Sequence, residues 1–331
     1  MSWDTALPVI FLGLMGVSML TYVVLDGYDL GVGLLLHRAT DAQKDTMIAS
    51  IGPFWDANET WLVLGVGILL IAFPKAHGMV LGALYLPVTL MLVGLILRGV
   101  AFDFRVKAQA SHKPLWNRAF FFGSGLAAAS QGWMLGSYIT GLAQGWEFTL
   151  FAAAIALLLP AAYVLLGAGW LILKTDGELQ RAAVGWAKLA WPPLVVGIGL
   201  ISLATPWVSH TVRERWFSMP AFIALLPIPL MTLAALVAVR AVLNSRSVLG
   251  KLSWLPLTLT IAVFLLGAIG LAYSLFPYVV IDRLTVWQAA SATESLAVIA
   301  IGCAFTVPAI AGYTVFAYRL FRGKAGEPNY A

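Results

Sequence analysis

Nine apolar segments, each near or above the length that crosses a lipid bilayer, constrain this chain more than any other feature of its sequence. A membrane-spanning helix needs about 20 mostly apolar residues, because the hydrocarbon core has to be crossed by a helix of fixed rise. The segments cover residues 7–36, 52–73, 78–102, 118–142, 147–173, 187–208, 218–243, 253–276 and 292–320. They predict an all-α polytopic membrane protein with nine transmembrane helices.

The composition agrees with this class and indicates one domain. Only 11% of the residues are charged and 61% are hydrophobic, whereas a soluble protein has about 25% charged residues. No linker is long enough to divide the chain, and no internal repeat is convincing. We therefore expect residues 1–331 to form a single transmembrane domain. The first span is expected to be retained, because no Lys or Arg precedes it as in a cleaved signal peptide.

The basic residues are unevenly distributed between the two sides of the predicted membrane. Most of the 20 lysines and arginines lie in connections on the side reached after the first span. The other side has only Lys75, Arg213, Arg215 and Arg283. Cytoplasmic loops carry an excess of Lys and Arg, so we expect the N-terminus outside and the C-terminus in the cytoplasm. The net charge of +5 therefore needs no nucleic-acid partner.

The first span contains two carboxylates, Asp26 and Asp29, in an otherwise apolar run. Ionisable side chains in a span are costly to bury, and they usually face protein or a water path that moves ions or protons. The two acids share one helix face, and Gly27 and Gly31 would let another helix approach closely. We expect this part of the span to lie against protein. The alternative is that the span ends near Leu25 and both acids are interfacial.

A second acidic cluster, Asp56 and Glu59, opens the second span on the same side of the membrane as the first acids. Its carboxylates are again three residues apart and share a helix face. Acids in the first turns of a helix are also stabilised by the helix dipole, so spacing alone does not decide between a structural and a functional role. We treat Asp26, Asp29, Asp56 and Glu59 as candidates for a proton path.

Arg98 and Asp103 add charge near the cytoplasmic end of the third span. Arg98 lies inward of Asp103, and a charge at membrane depth requires a partner. The acids of the first two spans are available for that purpose, so we class Arg98 and Asp103 as supporting charges. The alternative for Arg98 is that its long side chain reaches the membrane surface by snorkelling.

No residue pattern indicates a catalytic, cofactor-binding or metal-binding site within this chain. Haem iron commonly takes an axial His, Met or Cys. The histidines all fall in or near predicted loops; they are His37, His77, His112 and His210. The single cysteine, Cys303, excludes a cysteine-cluster metal site. We find no Gly-rich phosphate loop, HExxH motif or nucleophile elbow.

Three motifs in order resemble subunit II of the bacterial cytochrome bd-type quinol oxidases. They are DGYDLGVG at residues 26–33, FWDANETW at 54–61, and Arg98 followed by GVAFDFR at 99–105. The resemblance is strongest over the first 105 residues, and the remainder agrees in its number of spans. The shortness of the chain is similar to the cyanide-insensitive branch. Outer connections after spans four and six are shorter than in longer relatives, so features of those loops do not transfer.

The resemblance implies a fold of two four-helix bundles plus a peripheral helix. It also implies a heterodimer with a haem-bearing subunit I in the bacterial cytoplasmic (inner) membrane. Subunit I would carry two b-type haems and haem d, oxidise quinol and reduce oxygen to water, which makes the complex electrogenic without pumping. In the family, Asp56 is associated with proton delivery, and Asp26 and Asp29 with proton transfer or support of the haem region. The resemblance leaves open whether the complex also holds a structural quinone, bound lipid and a small accessory subunit.

Two other functions are compatible with acids inside spans. A proton-coupled secondary transporter would also place them there, although such transporters often show repeat symmetry and broken helices near the midplane. The acids here gather on one side. A purely structural subunit, whose acids only anchor helices, is the other alternative.

Overall fold

The computed structural model describes residues 3–208 and 210–325, and most of them are helical. The helices are α1 (Trp3–Leu35), α2 (Asp41–Ile51), α3 (Trp55–Ala72), α4 (Pro74–Ala83), α5 (Tyr85–Lys107), α6 (Lys113–Ile139), α7 (Trp146–Lys174), α8 (Gly177–Val208), α9 (His210–Phe217), α10 (Ala221–Leu225), α11 (Pro227–Asn244), α12 (Leu255–Leu275), α13 (Val286–Ala289) and α14 (Thr293–Leu320). Strands β1 (Tyr278–Val280) and β2 (Leu284–Thr285) form an antiparallel hairpin before α13. Single 3-10 turns follow α1 and α11.

Eight helical segments within the described residues are long and apolar enough to cross a membrane. They are α1 with the turn after it, α3, α5, α7, α8, α10 with α11, α12 and α14. The predicted class, an all-α polytopic membrane protein, is therefore confirmed. Helix α6 is 27 residues long but less apolar, because basic residues open it and Ser and Gln interrupt its middle.

The predicted boundaries of the third span, residues 78–102, are wrong. The chain breaks at Leu84 between α4 and α5, and α5 continues to Lys107. Pro87 explains the break, because proline has no N–H to donate to the carbonyl four residues earlier in a continuous helix. The chain between the first two predicted spans contains α2, which begins with a capping box between Thr40 and Gln43.

Helix α1 lies at the centre of the fold and is in backbone contact with α7. A Cβ atom added at Gly31 would lie 1.8 Å from the carbonyl oxygen of Tyr163. On the other side of the contact, a Cβ atom at Gly167 would lie 2.5 Å from the backbone nitrogen of Val32. The prediction that the Gly27 and Gly31 face packs against protein is confirmed. Small residues allow this approach, which places the nearby acids inside the protein.

Helices α5 and α6 meet in the same way beside α1. A Cβ atom at Gly94 of α5 would lie 2.7 Å from the carbonyl oxygen of Gly123 on α6, and one at Gly123 would lie 2.8 Å from the backbone nitrogen of Arg98. This approach brings the backbone carrying Arg98 into the interior between helices. A buried position for that side chain follows from the helix packing.

Helix α14 is the least buried of the candidate spans. Only 6% of its most apolar stretch is buried, against 22–39% for the other candidates. It contacts α1 and α3. Near its start, the Ser291 hydroxyl donates to the carbonyl of Ile71 at 2.7 Å, and the Ser291 N–H donates to the carbonyl of Ala72 at 2.9 Å.

The contact between α1 and α7 predicts a strong effect of a single methyl group. We expect Gly31→Ala to lower the free energy of unfolding by at least about 2 kcal/mol, because the Cβ atom meets rigid backbone and cannot turn aside. Thermal unfolding of the intact protein in detergent measures the change. Gly13→Ala on the same helix is the control, since a Cβ atom there has nothing within 4 Å. Equal melting of the two variants would contradict the packing.

Candidate functional site

The two acids of the first span lie in the protein interior. Asp26 and Asp29 are both 0% exposed, and α1 continues past them to Leu35. The helix of the first span therefore does not end near Leu25, and both acids are enclosed by protein. Asp29 is six residues from the end of α1, which corresponds to about 9 Å along the helix axis. The acids are buried well inside the helix and not at its end.

Arg98 joins the acids of two other helices. Its Nη1 atom lies 2.6 Å from Oδ1 of Asp26, and its Nη2 atom donates to Oε1 of Glu59. The Arg98 and Asp26 side chains are 1% exposed, whereas that of Glu59 is 27% exposed. Of the two interpretations of Arg98, the structure shows pairing and not snorkelling. The guanidinium ties α5 to α1 and α3, and one end of this ion-pair network reaches the surface.

The charges of this cluster are unequal. The carboxyl groups of Asp26, Asp29 and Glu59 lie around the single guanidinium of Arg98, so full ionisation would leave negative charge uncompensated in a buried site. Such charge is costly in a medium of low dielectric constant. Asp29 Oδ1 and Asp26 Oδ2 also have no hydrogen-bond donor among the described atoms. The cluster is chemically suited to take up and release a proton.

Asn58 connects Asp29 to two tyrosines. Its Nδ2 atom donates to Asp29 Oδ2 at 2.8 Å and to the Tyr28 hydroxyl at 2.9 Å. The Tyr318 hydroxyl donates to Asn58 Oδ1 at 3.1 Å, and the two tyrosine hydroxyls share a hydrogen bond. Sequence reasoning missed these residues. Asn58 lies between the acids of its motif, which was a usable signal, but nothing local pointed to Tyr318.

A second polar chain begins one turn before Asp26. Gln131 of α6 donates through Nε2 to the Tyr22 hydroxyl at 2.9 Å, and the Tyr163 hydroxyl of α7 donates to Gln131 Oε1 at 2.5 Å. These residues were also missed. Tyr22 shares the face of Asp26 by its four-residue spacing, and Gln131 interrupts an apolar segment. The two chains show that the acids belong to a polar core shared by α1, α3, α5, α6, α7 and α14.

The remaining candidates, Asp56 and Asp103, lie on the protein surface. Asp56 is exposed in the first turn of α3, three residues before Glu59 and therefore on the same side of the helix. Asp103 is exposed on α5. The structure thus brings Asp26, Asp29, Glu59 and Arg98 together, leaves Asp56 at the surface beside them, and leaves Asp103 outside the cluster.

The described residues show no metal-ion site. Within residues 3–208 and 210–325, no three His, Cys, Asp or Glu side chains are arranged to hold a metal. His37 and His112 are exposed, and His77 is half-buried at the start of α4, away from the acid cluster. The side chain of His210 lies outside the described residues.

Comparison with known proteins gives the family. Residues 7–321 match the family model described as cytochrome bd terminal oxidase subunit II. The chain belongs to this family. It is 27% identical over 345 residues to cytochrome bd ubiquinol oxidase subunit 2 of Bacillus subtilis (strain 168), covering 98% of this chain and 96% of that protein. It is 26% identical over 361 residues to cytochrome bd-I ubiquinol oxidase subunit 2 of Escherichia coli (strain K12), covering 92% and 91%.

A solved structure supports the same fold. The bd oxidase from Geobacillus thermodenitrificans matches with a TM-score of 0.75 over 95% of this chain and 98% of that chain, at 18% identity. Membership in the family confirms the resemblance drawn from the three motifs and makes this chain a subunit of a terminal oxidase. The assignment to the cyanide-insensitive branch stays a prediction. The transporter alternative receives no support from these matches.

The buried ion pairs predict a large loss of stability when the cation is removed. Arg98→Met leaves the carboxyl groups of Asp26 and Glu59 without their counter-charge, and breaking such a pair costs roughly 3–5 kcal/mol. We expect a clearly lower thermal midpoint for this variant, and partial recovery when Asp26→Asn is added. Lys107→Met, at the exposed end of α5, is the control. A wild-type midpoint for Arg98→Met would show that the pairs contribute no stability.

Proposed function

We propose that this chain is the non-haem subunit of a bd-type quinol oxidase and conducts protons from the cytoplasm towards the haem site of its partner. In this complex, quinol oxidation would be coupled to reduction of oxygen to water in a haem-bearing subunit I, which the chain also stabilises. The observation that carries the assignment is the family match over residues 7–321. The names of the Bacillus and Escherichia relatives, ubiquinol oxidase subunits, support quinol as the reductant.

The proposed architecture has nine spans, with α6 as the one of lower hydropathy. Its 27 residues are sufficient for a bilayer. We assign α1, α3, α5 and α6 to one four-helix bundle and α7, α8, α11 and α12 to the other, with α14 as the peripheral helix. The small buried fraction of α14 supports its place as the peripheral helix.

The proposed orientation has the N-terminus outside and the C-terminus in the cytoplasm. It is supported by the excess of basic residues on the side where α1 ends and α3 begins. The acid cluster then lies towards the cytoplasm, which is the side that must supply protons if oxygen reduction is to build a membrane potential without a pump. Membrane-impermeant labelling of a cysteine introduced into α2, from one side at a time, tests this orientation.

The proposed proton path uses the acids in order of depth. Asp56 is exposed and collects protons, and Glu59 lies one turn further along α3 with part of its carboxyl side chain at the surface. Arg98 does not carry the proton, because a guanidinium keeps its charge in proteins. Its role is to hold the carboxyl groups of Glu59 and Asp26 close together on either side of its own positive charge. Asp26 and Asp29 then provide buried carboxyl groups that can hold a proton before it leaves the chain.

This path predicts a defect in turnover without loss of the haems. We expect Asp56→Asn to reduce oxygen consumption by the purified complex about tenfold or more, since positioned proton-transfer groups contribute roughly 100-fold or more to catalysis. Assembly and the haem absorption spectrum should stay as in the wild type. Asp41→Asn, an exposed acid on α2 that pairs with Lys44, should keep full turnover.

Two results would contradict the assignment of Asp56. Wild-type oxygen consumption by Asp56→Asn would remove this residue from the path. Loss of the haem spectrum would make it a structural residue. Isolation of the chain as an active transporter without a haem-bearing partner would overturn the oxidase assignment itself.

A further inference from the structure

Lys174, the last residue of α7, contacts the end of the weakly buried helix α14. Its Nζ atom donates to the carbonyl oxygen of Phe321 at 2.7 Å, and Phe321 is the residue that caps the C-terminus of α14. Unpaired carbonyl groups at a helix C-terminus carry partial negative charge, so a cation there is stabilising. The backbone carbonyl of Lys174 also accepts the N–H of Ala325 at 2.7 Å. The end of α14 is therefore fastened to both the side chain and the backbone of Lys174.

Aromatic rings enclose the Lys174 ammonium group. Its Nζ atom lies 5.3 Å from the centre of the Phe54 ring and 5.1 Å from that of Trp170, which is within the range of a cation–π contact. Lys174 as a whole residue is only 8% exposed, although lysine is almost never fully buried. We call Lys174, Phe54, Trp170 and Phe321 the lysine clamp. Its burial sets Lys174 apart from the surface lysines of the cytoplasmic connections.

The lysine clamp continues into the acid cluster through Tyr318. The Phe54 ring lies 4.6 Å from the Tyr318 ring, centre to centre, and 6.0 Å from that of Phe321. Tyr318 is one helical turn before Phe321, and its hydroxyl donates to the Asn58 side-chain oxygen at 3.1 Å. The position of the last turn of α14 therefore determines whether this hydrogen bond can form.

The Tyr318 hydrogen bond determines which end of the Asn58 amide faces Asp29. An Asn side chain has one acceptor oxygen and one donor nitrogen. Because Tyr318 donates to the oxygen, the nitrogen is left to donate to Asp29 Oδ2 at 2.8 Å. If Tyr318 moved away, the amide could turn, and its oxygen would then face the Asp29 carboxylate. That orientation repels the ionised carboxylate, so the state of the proton site depends on α14.

We propose that Lys174 is a positioning residue for the buried acids. By capping and holding the last turn of α14, it keeps Tyr318 on Asn58 and so keeps the Asn58 amide nitrogen on Asp29. This inference rests on the proposed function of Asp29 in proton transfer. The mechanical part, that Lys174 holds the end of α14, is independent of that function. The two parts are therefore tested separately.

The mechanical part is tested by proteolysis of the purified complex in detergent. Trypsin cleaves after Arg322, in the segment that Lys174 fastens. We expect Lys174→Met to speed this cleavage about tenfold, because cleavage follows the population of the opened segment and the variant loses a charge-assisted hydrogen bond. Lys174→Arg keeps a cation with N–H donors and should restore most of the protection. Cleavage of Lys174→Met at the wild-type rate would overturn the proposal.

The functional part is tested by oxygen consumption in a double-mutant cycle. We expect Lys174→Met and Tyr318→Phe each to reduce turnover several-fold, with the double variant no slower than Tyr318→Phe alone, because both act through Asn58. Lys174→Arg should recover turnover. Lys107→Met, at the exposed end of α5, removes a lysine outside the lysine clamp and should keep turnover.

The outcomes separate this proposal from the proposed proton path. If Asp29→Asn turns over slowly, two results would overturn the positioning role of Lys174. One is that the losses of turnover add in the double variant, and the other is full turnover in Lys174→Met. If Asp29→Asn itself turns over at the wild-type rate, the proton path is wrong, and with it the functional part of the proposal. Faster cleavage after Arg322 in Lys174→Met would still support the mechanical part in that case.

Discussion

The interior of this protein depends on one buried guanidinium, that of Arg98, whose positive charge balances the negative charge of nearby carboxylates. It contacts Asp26 on α1 and Glu59 on α3, so it compensates acids that would otherwise be too costly to bury. A buried pair is weak evidence for stability, because desolvation of both charges offsets their attraction. Its presence in a membrane protein is better explained by a need for ionisable groups at this depth. The arrangement keeps carboxyl groups inside the protein without making any one of them an isolated charge.

Close helix packing makes that arrangement possible. The approach of α1 to α7 at Gly31 and of α5 to α6 at Gly94 removes the acids and Arg98 from lipid and places them among polar side chains of neighbouring helices. Hydrogen bonds from Asn58 and between Gln131 and the tyrosines then fix the surroundings of the carboxyl groups. Glu59 is the exception, because part of its side chain is exposed and connects the buried cluster with the surface near Asp56. The cluster therefore has an interior and an entrance, as a proton path requires.

The sequence predicted the features that depend on local pattern and left out those that depend on tertiary contact. Apolar length identified the class of protein, and the spacing of Gly27 and Gly31 correctly placed the acids against protein. Pro87 could have revealed the break before α5, since its missing N–H is a local property. The exposure of Asp103 depends on how α5 is rotated, which spacing alone does not determine. Tyr318 and Lys174 find their partners 260 and 147 residues away along the chain, so no local signal could have found them. Three ordered motifs were enough to predict the family. The roles of the individual acids stay predictions.

We propose that protons used in the partner subunit pass through the acid cluster of this chain. Time-resolved proton uptake tests it most directly: the reduced complex in vesicles is mixed with oxygen, and a pH-sensitive dye reports uptake from the cytoplasmic side together with the optical signals of the haems. We expect Glu59→Gln to slow proton uptake and the haem oxidation phase linked to it by the same factor. Uptake at the wild-type rate in a Glu59→Gln complex with intact haems would show that protons reach the haem site by another route.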